Sequence, residues 1–124
     1  MDIREEEALQ MQTKFVTATV TLTSADVLTY GFVSANHASS AIAVTLPAAH
    51  AGLVNRPIRI GCTGAAAVTV VAGADSAGTA GFGSAGSSYD TLALELGGEV
   101  RCTVRQTTPG LFAWTYCGNT TVAT

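Results

Sequence analysis

A chain of 124 residues has the length of one domain and can bury a small core. It is 48% hydrophobic but only 12% charged, about half the usual charged fraction, and its apolar content is Ala, Val and Leu rather than aromatic. The net charge of −3 lies wholly in the first seven residues, where Asp2, Glu5, Glu6 and Glu7 outweigh Arg4; the neutral remainder excludes the basic footprint of a nucleic-acid binder.

So little charge leaves little to spread over a solvated surface, and the expectation is that other subunits cover part of it. Three cysteines, Cys62, Cys102 and Cys117, are an odd number without C-x-x-C spacing, which argues against a zinc site and a full disulfide framework. Reduced thiols, synthesis in a cytoplasm and no metal or cofactor are expected. The N-terminus is acidic where a signal peptide would be basic. No apolar run approaches the roughly 18 residues that a membrane span needs, so no membrane partner is expected.

In chain order, residues 2–13, "DIREEEALQMQT", form the only helical-looking stretch. Asp2 and Glu5 have capping-box spacing, and Lys14 suits the helix end. At this length the helix is marginal without support, so residues 1–14 are a short acidic arm or helix that docks on something. The period then changes to two. In "FVTATVTLT" (15–23), Val16, Ala18, Val20 and Leu22 alternate with threonines, as in a half-buried strand. Further strands are predicted at 27–34, 41–46, 56–62, 67–72, 91–96, 99–106 and 111–117, with turn signals between them. The pattern predicts an all-β domain over 15–117, a single sandwich or barrel-like unit of about eight short antiparallel strands, and a C-terminal tail over 118–124.

"GFGSAG" at 81–86 has the G-x-G-x-x-G spacing of a dinucleotide loop. Such a loop needs a strand directly before it and a helix directly after it. Here "ADSAGTA" separates it from "VTVVAG", and Leu92, Leu94 and Leu96 follow at period two. Without a helix N-terminus no dipole holds a phosphate, so the segment reads as a glycine-rich hairpin loop. His37 and His50 each sit in a turn among Ala and Ser, and no G-x-S-x-G elbow accompanies them. The carboxylates Asp75, Asp90, Glu95 and Glu99 stand where turns place solvated acids. No catalytic residue is assigned, and the chain is not expected to be an enzyme.

The last hairpin, "EVRCTVRQTTPGLFAWTYC", carries the strongest local signal. If "TTPG" connects its strands, Arg101, Arg105, Phe112, Trp114 and Tyr116 share one face, and Val100, Cys102 and Val104 share the other. Burying two arginines in a core is expensive, so the Arg–aromatic face is expected to be an interface with another subunit or a ligand. With the four-residue turn Cys102 and Cys117 are diagonal neighbours; with Pro109-Gly110 alone as the turn they are directly opposite.

The run "AVTLPAAHAGLVNRPIRIGCTGAAAVTVVAGADSAG" (43–78), followed by "LALELGGEV" and the tryptophan-bearing "GLFAWTY", resembles a β-module of tailed-bacteriophage virion proteins over roughly residues 40–117. The chain departs from that pattern in "DSAGTAGFGSAG", which replaces an Asp/Asn-Gly turn. The resemblance implies a trimeric β-structure attached to the phage particle and carries no catalytic motif. It implies a decoration or cement protein on the capsid surface, with the major capsid protein and itself as partners. Asp2, Ile3, Arg4, Glu5, Glu6, Glu7, Leu9 and Met11 would then form the arm that anchors it. The alternative implied is a tail-fibre or receptor-binding module that recognises host surface glycans. Only about forty residues precede the resemblance, which favours the small decoration protein.

Overall fold

The computed structural model describes residues 12–83, 90–118 and the backbone of 121–123. The expected arm, with Asp2, Ile3, Arg4, Glu5, Glu6, Glu7, Leu9 and Met11, lies outside these residues. The described residues form an all-β chain with one short helix. In order they are β1 (Gln12–Val16), β2 (Val20–Thr21), α1 (Ser24–Thr29), β3 (Tyr30–Ala35), β4 (Ile42–Thr45) and a 3-10 turn (Ala51–Leu53). Then follow β5 (Ile58–Cys62), β6 (Val68–Val71), β7 (Thr91–Leu94), β8 (Glu99–Thr108), β9 (Leu111–Gly118) and β10 (Thr121–Ala123).

The strands form two open five-stranded sheets, ordered β1-β3-β5-β8-β9 and β10-β7-β6-β4-β2. Up to β6 the chain lays successive strands alternately in the first and second sheet, so each pairs with the strand two places on and the pairings are parallel. It then reverses, and β7, β8, β9 and β10 add antiparallel. The expectation of a wholly antiparallel arrangement is therefore corrected. Hairpin logic assumes that neighbours in sequence are neighbours in a sheet, and through β6 they are not.

Two local expectations change for identifiable reasons. The run 15–23 is two strands, because residues 17–19 turn the corner between sheets while the period-two pattern continues across it. Thr19 Oγ1 accepts from the Ala43 amide at 3.2 Å and holds that corner against β4. The expected strand 27–34 starts as helix α1, set by a capping box in "TSAD". Thr23 Oγ1 accepts from the Asp26 amide at 3.2 Å, and Asp26 Oδ2 accepts from the Thr23 amide at 2.9 Å. At the other end, residues 121–123, expected to be tail, pair with β7.

Buried side chains of both sheets belong to one apolar cluster, including Val33, Ile58, Ile60, Val100 and Val104 from the first and Val44, Val68, Val70, Leu92 and Leu94 from the second. The last hairpin joins it through an unexpected register. Thr108 pairs with Leu111, so Pro109-Gly110 alone makes the turn, with Gly110 at φ +80°. Thr107 is then an extra residue, and beyond this bulge Gln106 pairs with Phe112, Val104 with Trp114 and Cys102 with Tyr116.

A slip of one residue exchanges the faces of a strand. The predicted grouping of Arg101 and Arg105 with Phe112, Trp114 and Tyr116 is thereby corrected. The aromatics share the core-side rows with Val104 and Cys102, and the two arginines share the outer rows with Cys117 and Ala113. Trp114 is 0% exposed and donates its indole N–H to the Pro47 carbonyl at 2.7 Å. Phe112 packs against the core, and Tyr116, 38% exposed, meets Phe82 edge-on at 5.3 Å. Replacing Trp114 with Ala should cost about 3–5 kcal/mol, since it opens a cavity and leaves the part-buried Pro47 carbonyl without its donor. Urea denaturation measures this; a variant as stable as the wild type would show that the tryptophan is not part of the core.

Candidate interaction surface

Alternation along the strands of the first sheet assembles one outer face. Following the register, Thr13, Phe32, Arg59, Arg101 and Cys117 form a row across all five strands. Phe15 stands beside Ser34 in the next row and is 79% exposed. Arg59 lies 5.3 Å over the Phe32 ring and pairs with Glu99 at 3.2 Å. The ring lies flat across the sheet because position 61 is glycine: a Cβ there would come within 2.7 Å of the Phe32 Cζ. Arg105 donates to Asn55 Oδ1 at 3.2 Å, and Asn55 donates its amide to the Val104 carbonyl, which brings the exposed Arg56 to the same end of the sheet. Arg101 lies directly opposite Arg59, and among the described residues no carboxylate reaches Arg56, Arg101 or Arg105.

The second sheet is different. Its outer rows are Thr21–Thr45–Val71–Thr91 and Ala43–Thr69–Ala93, without a charge among them. Arg59, Arg101, Arg105 and the exposed Phe15 thus lie on the outer side of the first sheet.

Residues 74–83 run along the free edge of β9. The Ser76 amide donates to the Phe112 carbonyl, the Phe112 amide to Ser76 Oγ, and the Gly83 amide to the Trp114 carbonyl. This segment carries the first half of "GFGSAG", with Gly83 at φ +67°, and it serves to cover a strand edge. The rest of the motif lies outside the described residues, and the next described element is strand β7.

A Ser–His pair that sequence reasoning missed occurs where the 3-10 turn meets α1. Ser24 Oγ lies 3.0 Å from His50 Nε2, while His50 Nδ1 accepts the Gly52 amide at 3.1 Å. With Nδ1 occupied by an amide, the ring proton sits on Nε2 and is donated to the serine. A general base would have to accept there. The pair therefore pins the turn to the helix instead of activating a nucleophile. His37 Nδ1 likewise accepts the amides of Ser39 and Ser40 and shapes its own loop. Among the described residues no three of His, Cys, Asp and Glu come together as a metal site, and no helix is long and apolar enough to cross a membrane.

Cys62, Cys102 and Cys117 are all free. Neither expected geometry for Cys102 and Cys117 occurs, because the bulge puts the first on the core side and the second on the outer face opposite Arg101. No protein-family model matches the chain, and no curated protein or solved structure does either.

Burial pushes the Cys102 thiol from 9.0 up to about 12. The folded state therefore holds this proton more tightly than the unfolded one. Its contribution to stability is complete below about pH 9 and is lost as pH rises towards 12. Under native conditions at pH 8 a thiol reagent should label Cys117 alone, with Cys102 and Cys62 reacting only on unfolding. Peptide mapping of the labelled protein checks this, and native labelling of Cys102 would contradict the register of the hairpin.

Proposed function

We propose that this is a virion structural protein, a decoration protein that sits on the capsid surface as a homotrimer and clamps the major capsid protein. The observation that carries the reading is the outer face of the first sheet. The five-stranded sheet presents the exposed Phe15, a half-buried Phe32 beneath Arg59, and further arginines, while the outer face of the second sheet is small and uncharged. Arginine beside exposed aromatic rings is the composition of protein–protein contacts. The resemblance of residues 40–117 to phage virion modules supplies the shell as the partner.

In this reading the two sheets pack face to face as a β-sandwich, supported by the single buried cluster to which both contribute. Arg101 and Arg105 belong to the contact surface, while Trp114 lies in the core, Phe112 packs against it and the partly exposed Tyr116 meets Phe82. The acidic arm supplies a second contact with the shell. The protein acts by binding and not by catalysis, a reading supported by the donor role of His50 towards Ser24.

Quantitative mass spectrometry of purified virions tests the proposal. Hundreds of copies per particle are expected for a shell protein, whereas a handful would assign the chain to the tail and its glycan-recognition alternative. Absence from virions would overturn both. Light scattering of the isolated protein should give the mass of a trimer.

A further inference from the structure

From residue 12 onward the chain carries the cations Lys14, Arg56, Arg59, Arg101 and Arg105 and the acids Asp26, Asp75, Asp90, Glu95 and Glu99. Their numbers balance but their placement does not. Lys14 pairs with Asp26 at 3.6 Å and Arg59 with Glu99 at 3.2 Å. Asp75 Oδ1 accepts the amides of Ala77 and Thr79 within its own loop. Asp90 and Glu95 stand at the two ends of β7, in the second sheet. The outer face of the first sheet is left with Arg59, Arg101 and Arg105 against the single carboxylate of Glu99.

The register sharpens this excess. Arg59 and Arg101 stand directly opposite one another on β5 and β8, an arrangement in which like charges destabilise a sheet. Glu99 is committed to Arg59, and Arg101 has Cys117 on its other side. Arg105 shares the face farther along β8, about 13 Å from Arg101 at the rise of a strand. Its Nη1 donates to Asn55 Oδ1, and no carboxylate of the described residues reaches it. We propose that this face docks an acidic segment of a partner protein. One carboxylate of the segment sits between Arg59 and Arg101, and a second, about 13 Å away, meets Arg105.

Charge complementarity sets the sign of the partner, and the neighbours of the arginines set its class. Three arginines and a glutamate are too sparse for a nucleic acid, whose binders line up many cations along a backbone. Phe15, 79% exposed on β1, and Phe32 beneath Arg59 offer apolar contact that a protein side chain uses. Guanidinium groups also match carboxylates in planar, two-pronged hydrogen bonds. The inference rests on the reading of this face as a contact surface and adds the chemistry of what it meets: on a shell, the matching patch is acidic.

The probe is a fluorescein-labelled octapeptide of alternating Glu and Thr, which in extended form repeats its carboxylates at the required spacing. Anisotropy with the full chain at low salt should show binding. Affinity should fall about tenfold or more in the Arg101→Gln/Arg105→Gln protein, and equally when Gln replaces Glu in the peptide. A single-stranded oligonucleotide of the same charge should bind more weakly than the peptide. Arg101→Gln alone should raise the urea midpoint, because it relieves the repulsion from Arg59; an arginine kept for stability would lower it instead. No binding by the wild type, binding undiminished in the double variant, or an oligonucleotide held as tightly as the peptide overturns the proposal. None of these results depends on how many copies a virion carries, so failure here and failure of the shell reading are told apart.

Discussion

A single buried side chain ties the first sheet to the second. Trp114, on the last strand of the first sheet, donates its indole N–H to the carbonyl of Pro47, just beyond β4 of the second. An indole is costly to bury unless that hydrogen finds an acceptor. The register of β8 and β9 must therefore bring this residue, and not its neighbours, to the core side. The bulge at Thr107 provides that register, and residues 74–83 close over the outside of the same strand through Ser76 and Gly83. Arg101, Arg105 and Cys117 lie on the outer face as a consequence of the tryptophan lying within.

The strand content was largely readable from alternation. The runs at 42–45, 58–62, 68–71, 91–94, 99–108 and 111–118 all fall on or near the period-two stretches, because each buries one face and exposes the other. What alternation does not carry is connectivity. Val16, Ala18, Val20 and Leu22 keep one rhythm although the chain changes sheets between Val16 and Val20, and nothing in that rhythm marks the corner. Parallel pairing between strands two places apart was hidden for the same reason. Helix α1 did have a signal, the Thr23–Asp26 capping box, but the apolar alternation around it masks the same spacing that stands openly at Asp2–Glu5.

The candidate surface was half legible. Arginines at positions 101 and 105 alternate with apolar residues on β8, and the cost of burying them marks their face as solvent-facing. The aromatics were misplaced because hairpin register depends on a single extra residue, and Thr107 has no side-chain chemistry that announces a bulge. Phe32 and Arg59 come from strands distant in sequence, so only the sheet order brings them beside Arg101. The uncharged outer rows of the second sheet, built of Thr, Ala and Val, contribute to the low charge content.

The division of the hairpin into an aromatic inner face and an arginine outer face is the point on which the fold and the surface both turn. The chain has one tryptophan, so its fluorescence reports on that division directly. A blue-shifted emission that iodide does not quench in the native protein, and that becomes red-shifted and quenchable in denaturant, is the expected result. Native emission at the wavelength of a solvated indole, quenched by iodide as strongly as in the unfolded chain, would put Trp114 on the outer face with the arginines and contradict the account.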